Sequence, residues 1–335
     1  MHSTEAKEHA AYSDTATEAH VPPWLVREAL LGVLAELAQA GYDFTAPTPS
    51  THARVVARPD RRVGRTVVDL LGWSLPCLPD ELPPAILEPL ERAALLERRS
   101  DGLVMARVRV SRVFHGLYVH SAYPTDAPDS VFLGPDSHRF ADYVLRHCDG
   151  VAAPARVLDY GAGAGVGGIT AGLHLPDATL TLADVNPKAL LYASVNAQFA
   201  GIEHATCLAG TPSEVEGEFD VIVSHPPFMM DRGRRTYRDG GDLYGGRLSV
   251  DWTIASLPKL APGGRFIMHT GVSIVQGRDL VREALRMRMP VKGYAYEYQV
   301  LDTDIFGDEL EQEAYAEVDR IAAVGICVTR LGGRP

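Results

Sequence analysis

Residues 155–173 read ARVLDYGAGAGVGGITAGL, a strand-like apolar run that ends in an acid and breaks into glycines before a helix-like segment. Glycines at such a turn let the backbone approach a ligand closely and present the N–H groups of a helix N-terminus to it. Working outward, TLTLADV (179–185), PKALLYASVNAQFAG (187–201), FDVIVSH (219–225) and GGRFIMHT (263–270) continue an alternation of strand and helix. That alternation predicts an α/β fold, a parallel sheet covered by helices on both faces.

The glycine loop by itself leaves two ligand classes open. Residues 163–168 satisfy the dinucleotide pattern G-x-G-x-x-G, which fits a nicotinamide cofactor. Asp159, at the strand end before the glycines, instead suits a ligand with a cationic amino group, as in S-adenosyl-L-methionine. Asp184 closes the next strand, where an acid accepts hydrogen bonds from ribose hydroxyls. Val185 and Asn186 follow it, and Asn186 before Pro187 also reads simply as a helix N-cap.

The third element is Ser224-His225-Pro226-Pro227-Phe228 at the end of the 219–223 strand. Here the sequence resembles the class I, Rossmann-like S-adenosylmethionine-dependent amino-methyltransferases, whose signature is Asn or Asp, Pro, Pro, then Tyr or Phe. The likeness covers about residues 130–335, with a winged-helix-like domain in front. It implies that the first residue and the first proline's carbonyl accept hydrogen bonds from the target NH₂, while the aromatic stacks on the acceptor. His225 departs from this pattern. Neutral imidazole accepts one hydrogen bond or takes a proton, but cannot copy an amide's donor and acceptor pair. The resemblance places the cofactor over Asp159, Gly161, Ala162, Gly163, Asp184, Val185 and Asn186, with Ser224 near its reactive end and His225, Pro226, Pro227 and Phe228 holding the acceptor. Asp136 and Ser137 are expected to line the same cleft, with Arg235 and Tyr237 on the acceptor side.

Before residue 150 the pattern changes. Residues 1–22 read as a disordered tail without the basic and apolar regions of a leader. Residues 23–125 predict a helical-and-hairpin domain: an amphipathic helix from Trp24 to a stop at Gly41, short helices over 63–71 and 85–96, and a hairpin of 103–110 with 116–122. This is a winged-helix-like order whose plain alternatives are a dimerisation or lid domain. Residues 126–150 form a connector, and 151–335 the catalytic domain.

Composition narrows the partners. The net charge is −11, and residues 23–125 hold twelve arginines against eleven acids, which argues against a broad phosphate-binding surface. Arg54, Arg58, Arg61, Arg62 and Arg65, and Arg232, Arg234, Arg235 and Arg238, are the local exceptions. The four cysteines lack metal or redox spacing, no metal is expected, and no run has the roughly 20 apolar residues of a membrane span; a cytoplasmic setting and a possible homodimer follow as expectations. The acceptor expected from the acids between Glu297 and Glu309 is a small amine or guanidine whose carboxylate the 232–238 arginines grip. A nucleic-acid base amine, a protein glutamine and a non-catalytic binding scaffold are the alternatives.

Overall fold

The computed structural model describes residues 21–332, so the expected tail lies outside the described residues except for Val21 and Pro22. Helix α1 (Pro23–Gln39) starts on a proline and turns Leu30, Val33, Leu34 and Leu37 into the core. Trp24 is exposed rather than part of that face. A helix not expected from the sequence, α2 (Pro49–Val56), is capped by Thr48, which accepts the Thr51 N–H. The expected 63–71 helix begins late, as α3 (Val67–Leu71), because Thr66 and Asp69 form a reciprocal capping box at its start. The next, α4 (Pro84–Arg92), stops early where Ala94 takes a positive φ.

The single expected hairpin is two ribbons. Strand β1 (Leu96–Arg98) pairs with β2 (Val104–Ala106), and β3 (Val108–Val113) with β4 (Gly116–Ser121). Residues 104–106 are thus diverted to a partner upstream, while the pairing of 108–110 with 119–121 and the turn at Phe114-His115 fall where the alternation placed them. Nor is this region a detached lid. One hydrophobic core runs from Leu30 through Val119 to Val195 and Val223, with each fully buried aliphatic side chain worth about 1.5–3 kcal/mol. Asn196 stitches it polar-side: its Oδ1 accepts the Val119 N–H, and its Nδ2 donates to the carbonyls of Val119 and Ala164.

Helix α5 (Pro135–Cys148) leads into the main sheet. There follow β5 (Arg156–Tyr160), α6 (Val166–His174), β6 (Thr179–Asp184), α7 (Pro187–Phe199), β7 (His204–Leu208), β8 (Phe219–Ser224), α8 (Arg247–Ser256), β9 (Leu260–Val275), the short β10 (Arg278–Asp279), α9 (Leu280–Arg288), β11 (Tyr294–Ile305) and β12 (Arg320–Arg330). The order across the sheet is β11-β12-β9-β8-β5-β6-β7. The five strands from β7 to β9 are parallel, and β12 and β11 close that edge antiparallel. The mixed α/β architecture is the one that the alternation called for.

Candidate active site

Chain order reverses between β5 and β8, which lie side by side. Open α/β sheets leave a crevice at such a switch point, outside the strands' carboxyl ends. A cavity of about 410 Å³ fills it.

One wall is the glycine loop. Gly161, Gly163 and Gly165 all have left-handed φ, between +53 and +81°, which only glycine adopts at little cost. A Cβ on Gly161 would lie 2.6 Å from the Trp252 ring, whereas one on Gly163 meets nothing within 4 Å, so the loop is packed behind and open in front. Asp184 ties the loop to β6: its Oδ2 accepts the Gly163 N–H at 2.9 Å and its Oδ1 the Asn186 N–H at 2.8 Å. It lines the cavity together with Gly161, Ala162, Gly163, Val185 and Asn186. Burial raises its pKa against those bonds. The Asn186 side chain is spent on structure, its Oδ1 capping α7 at Lys188 and its Nδ2 donating to the Asp129 carbonyl.

Two expected cofactor residues sit behind this wall. Asp159 is not among the cavity-lining residues; its Oδ2 accepts the Gly168 N–H at 2.8 Å, and burial pushes its pKa up to about 8. Its expected role toward a cationic amino group therefore finds no support in its placement. Ser224, fully buried, donates from Oγ to the Tyr160 carbonyl across the strands.

The opposite wall gathers His225, Pro226, Pro227, Phe228, Asp136 and Ser137. His225 Nδ1 lies 2.8 Å from the His269 carbonyl oxygen. A carbonyl only accepts, so Nδ1 carries the proton and Nε2 keeps the lone pair. Burial holds the His225 pKa below the ordinary imidazole value, opposed by Asp136 and the bond to His269, so the ring is neutral at neutral pH. Phe228 fits only because residue 271 is glycine: a Cβ there would stand 2.2 Å from its ring. Sequence reasoning missed Gly271, His269, Phe140 and Trp252, which enter from β9, α5 and α8. A glycine inside the apolar β9 was the one available signal.

Arg235 and Tyr237 line the cavity, as expected, together with Arg234 and Arg238, but three of the four loop arginines are already paired with acids of the chain. Arg235 is bidentate on Asp231, Arg238 contacts Asp231 and Glu309, and Arg232 reaches Glu313. Tyr237 donates to the Thr125 carbonyl and stacks near Phe132. Asp231 is nearly buried and holds its carboxyl below the ordinary range through Arg235. Of the four arginines only exposed Arg234, which borders the cavity, has no ion-pair partner among the described residues. The acids expected to receive a cationic substrate are partly used here too, since Asp302 pairs with Arg139 and Glu309 with Arg238.

Residues 142–238 match the family described as Methyltransferase small domain. The release factor glutamine methyltransferase of Bordetella pertussis is 31% identical over 217 residues, covering 59% of this chain and 77% of that protein. Ribosomal RNA small subunit methyltransferase C of Salmonella choleraesuis is 41% identical over 73 residues, 22% of this chain and 21% of that protein. A crystal structure of the SAM dependent methyltransferase from Agrobacterium tumefaciens aligns with a TM-score of 0.44 at 14% identity, over 68% of this chain and 71% of that one. The fold and site define a Rossmann-like group-transfer enzyme, and the chain belongs to the class I S-adenosylmethionine-dependent methyltransferases. S-adenosyl-L-methionine is its cofactor. The donor set suits it: after two backbone bonds the Asp184 carboxylate keeps lone pairs for ribose hydroxyls, and Gly163 leaves open space beside them. Among the described residues no helix is long and apolar enough to cross a membrane.

Proposed function

We propose that the enzyme methylates a planar, uncharged NH₂ group carried by a macromolecule, the side-chain amide of a glutamine in a protein partner. The observation that carries this reading is the fixed tautomer of His225, a neutral acceptor presented beside the Pro226 carbonyl and the Phe228 ring. Such a site suits an NH₂ that must only be turned, not first deprotonated. Gly161, Ala162, Gly163 and Asp184 would hold S-adenosylmethionine, which supplies an activated methyl group on its sulfonium. His225 Nε2 and the Pro226 carbonyl would each accept one N–H, aiming the nitrogen lone pair at the methyl, while Phe228 covers the acceptor plane. Most of the rate then comes from positioning in a site that excludes water.

The small-metabolite reading loses its main support because the arginines meant for a substrate carboxylate are already paired within the protein. The relatives named above act on a release factor glutamine and on ribosomal RNA, which favours a macromolecular acceptor. A base amine in RNA is the second reading. It is supported by Arg58 and Arg62, exposed and without ion-pair partners among the described residues, and by Arg234 at the cavity mouth. Incubating the enzyme with labelled S-adenosylmethionine and, separately, purified release factors and ribosomal RNA decides between them. Label on a glutamine, located by mass spectrometry, supports the first reading; label confined to RNA replaces it with the second.

A further inference from the structure

The first turn of α5 brings a buried charge to this cavity. Asp136 and Phe140 are four residues apart and therefore share a helix face. The Phe140 ring lies 5.4 Å from the His225 ring, and Asp136, one turn earlier, lines the same cavity while only 3% exposed. Arg139 Nη1 donates to Asp136 Oδ1 at 2.9 Å, and its Nη2 donates to Asp302 Oδ2 on β11, also at 2.9 Å. Asp136 Oδ2 has no hydrogen-bond partner among the described residues. A buried carboxylate costs free energy unless it is used, and a single arginine shared with a second acid neutralises it only in part.

We propose that Asp136 is a positioning residue for the methyl transfer: its carboxylate, held by Arg139, stabilises the positive charge that His225 acquires when it takes the acceptor's proton. This rests on the NH₂ reading above. As the nitrogen lone pair forms the bond to the methyl carbon, the sulfur–carbon bonding pair leaves with sulfur. The nitrogen then gives up one proton to the Nε2 lone pair of His225, and the N–H electron pair returns to nitrogen. The imidazolium so formed keeps its Nδ1 bond to the His269 carbonyl and faces the Asp136 carboxylate. The other charged or titratable groups around His225 do not offer this. His269 is buried and pushed well below the ordinary imidazole range, partly by His225 itself, Arg139 is a cation, and Asp302 lies on the far side of Arg139. Burial raises the Asp136 pKa and lowers that of His225; against this, His225 and Arg139 favour the Asp136 carboxylate and Asp136 favours the imidazolium, in agreement with the cavity they share.

The test needs no acceptor. Histidine ¹⁵N resonances are followed through a pH titration in the wild type, in the isosteric Asp136→Asn, and in Asp302→Asn as a control for the general field. An opposite charge close by shifts an imidazole pKa by about one unit or more, so Asp136→Asn should lower the proton affinity of His225 about 10-fold or more, with the Nδ1–H tautomer retained. Asp302→Asn should change it less than about 3-fold. An unchanged His225 midpoint in a folded Asp136→Asn protein overturns the proposal, as does an equal shift in both variants. With the methylated partner in hand, Asp136→Asn should also lower the maximal kcat about 10-fold or more at unchanged cofactor Kd. Full rescue by this isostere would assign Asp136 a merely structural role. Wild-type enzyme that methylates neither glutamine nor RNA refutes the functional reading, while the titration still decides the role of Asp136.

Discussion

The two walls of the cavity are built by different means. The cofactor wall is made of backbone: left-handed glycines, the start of α6, and one carboxylate that accepts N–H groups from the glycine loop and from its own turn. The acceptor wall is made of side chains drawn from α5, the loop after β8, and β9, and its shape depends on partners 44 to 85 residues apart in sequence. Backbone geometry tolerates almost no substitution. A side-chain wall can exchange one acceptor for another, and on the proposed reading His225 would be such an exchange.

Breaking the acceptor wall alone gives the largest effect. His225→Ala should lower kcat by about 10²–10⁴-fold, the usual range for losing a proton acceptor, while cofactor affinity by calorimetry stays within about 2-fold. In the wild type kcat should stay flat through neutral pH and decline only as pH falls below the ordinary imidazole value. On the proposed reading the neutral ring is the active form, and burial holds its pKa low; a decline that begins above pH ~7 would contradict that state.

The cofactor wall should fail differently. Asp184→Ala removes charge-assisted bonds worth about 1.5–3 kcal/mol, roughly 10- to 150-fold in the S-adenosylmethionine Kd. The variant also frees the Gly163 and Asn186 N–H groups, so its melting temperature should fall even without cofactor. Unchanged affinity in a folded protein would remove Asp184 from the site. Gly271→Val tests whether the acceptor wall can be deformed separately. Its branched side chain must displace the Phe228 ring, raising acceptor KM about 10-fold with little change in cofactor Kd, consistent with an overpacking cost of about 1–3 kcal/mol.

The smallest effect belongs to the loop arginines. Arg234→Ala should raise acceptor KM about 2- to 5-fold and make it less salt-dependent, as an exposed charge worth under about 1 kcal/mol would. Arg235→Ala should instead make residues 231–239 easier to cleave by protease, because Arg235 holds Asp231 and not the substrate. Equal KM effects from both would return Arg235 to substrate binding.

Legibility follows the same division. The strands and helices from Arg156 to Phe199, with β8 and β9, were readable because apolar periodicity and glycine positions are local; β7, α8, α9 and the antiparallel β11 and β12 were not read. Of the ribbons before residue 150 only the second was readable, since residues 104–106 pair upstream with 96–98, and no periodicity reveals a strand's partner. Asp159, Ser224 and Asn186 stood at the right places in the chain, but their side chains are turned to Gly168, Tyr160 and Asp129. The pairing of the loop arginines was hidden for a related reason. Charge is visible in sequence, while neutralisation by Asp126, Glu309 or Glu313 is visible only in space.

By itself the sequence determined the α/β class, the glycine loop and the Pro-Pro turn, because each depends on backbone angles that particular residues impose on their own neighbours. The tertiary structure alone decided which nitrogen of His225 carries the proton and which arginine is free at the cavity mouth. It alone brought Asp136 and His225 to the same cavity. Those are matters of distance between residues remote in the chain, and a hydrogen bond or an ion pair exists only where folding brings donor and acceptor within about 3 Å.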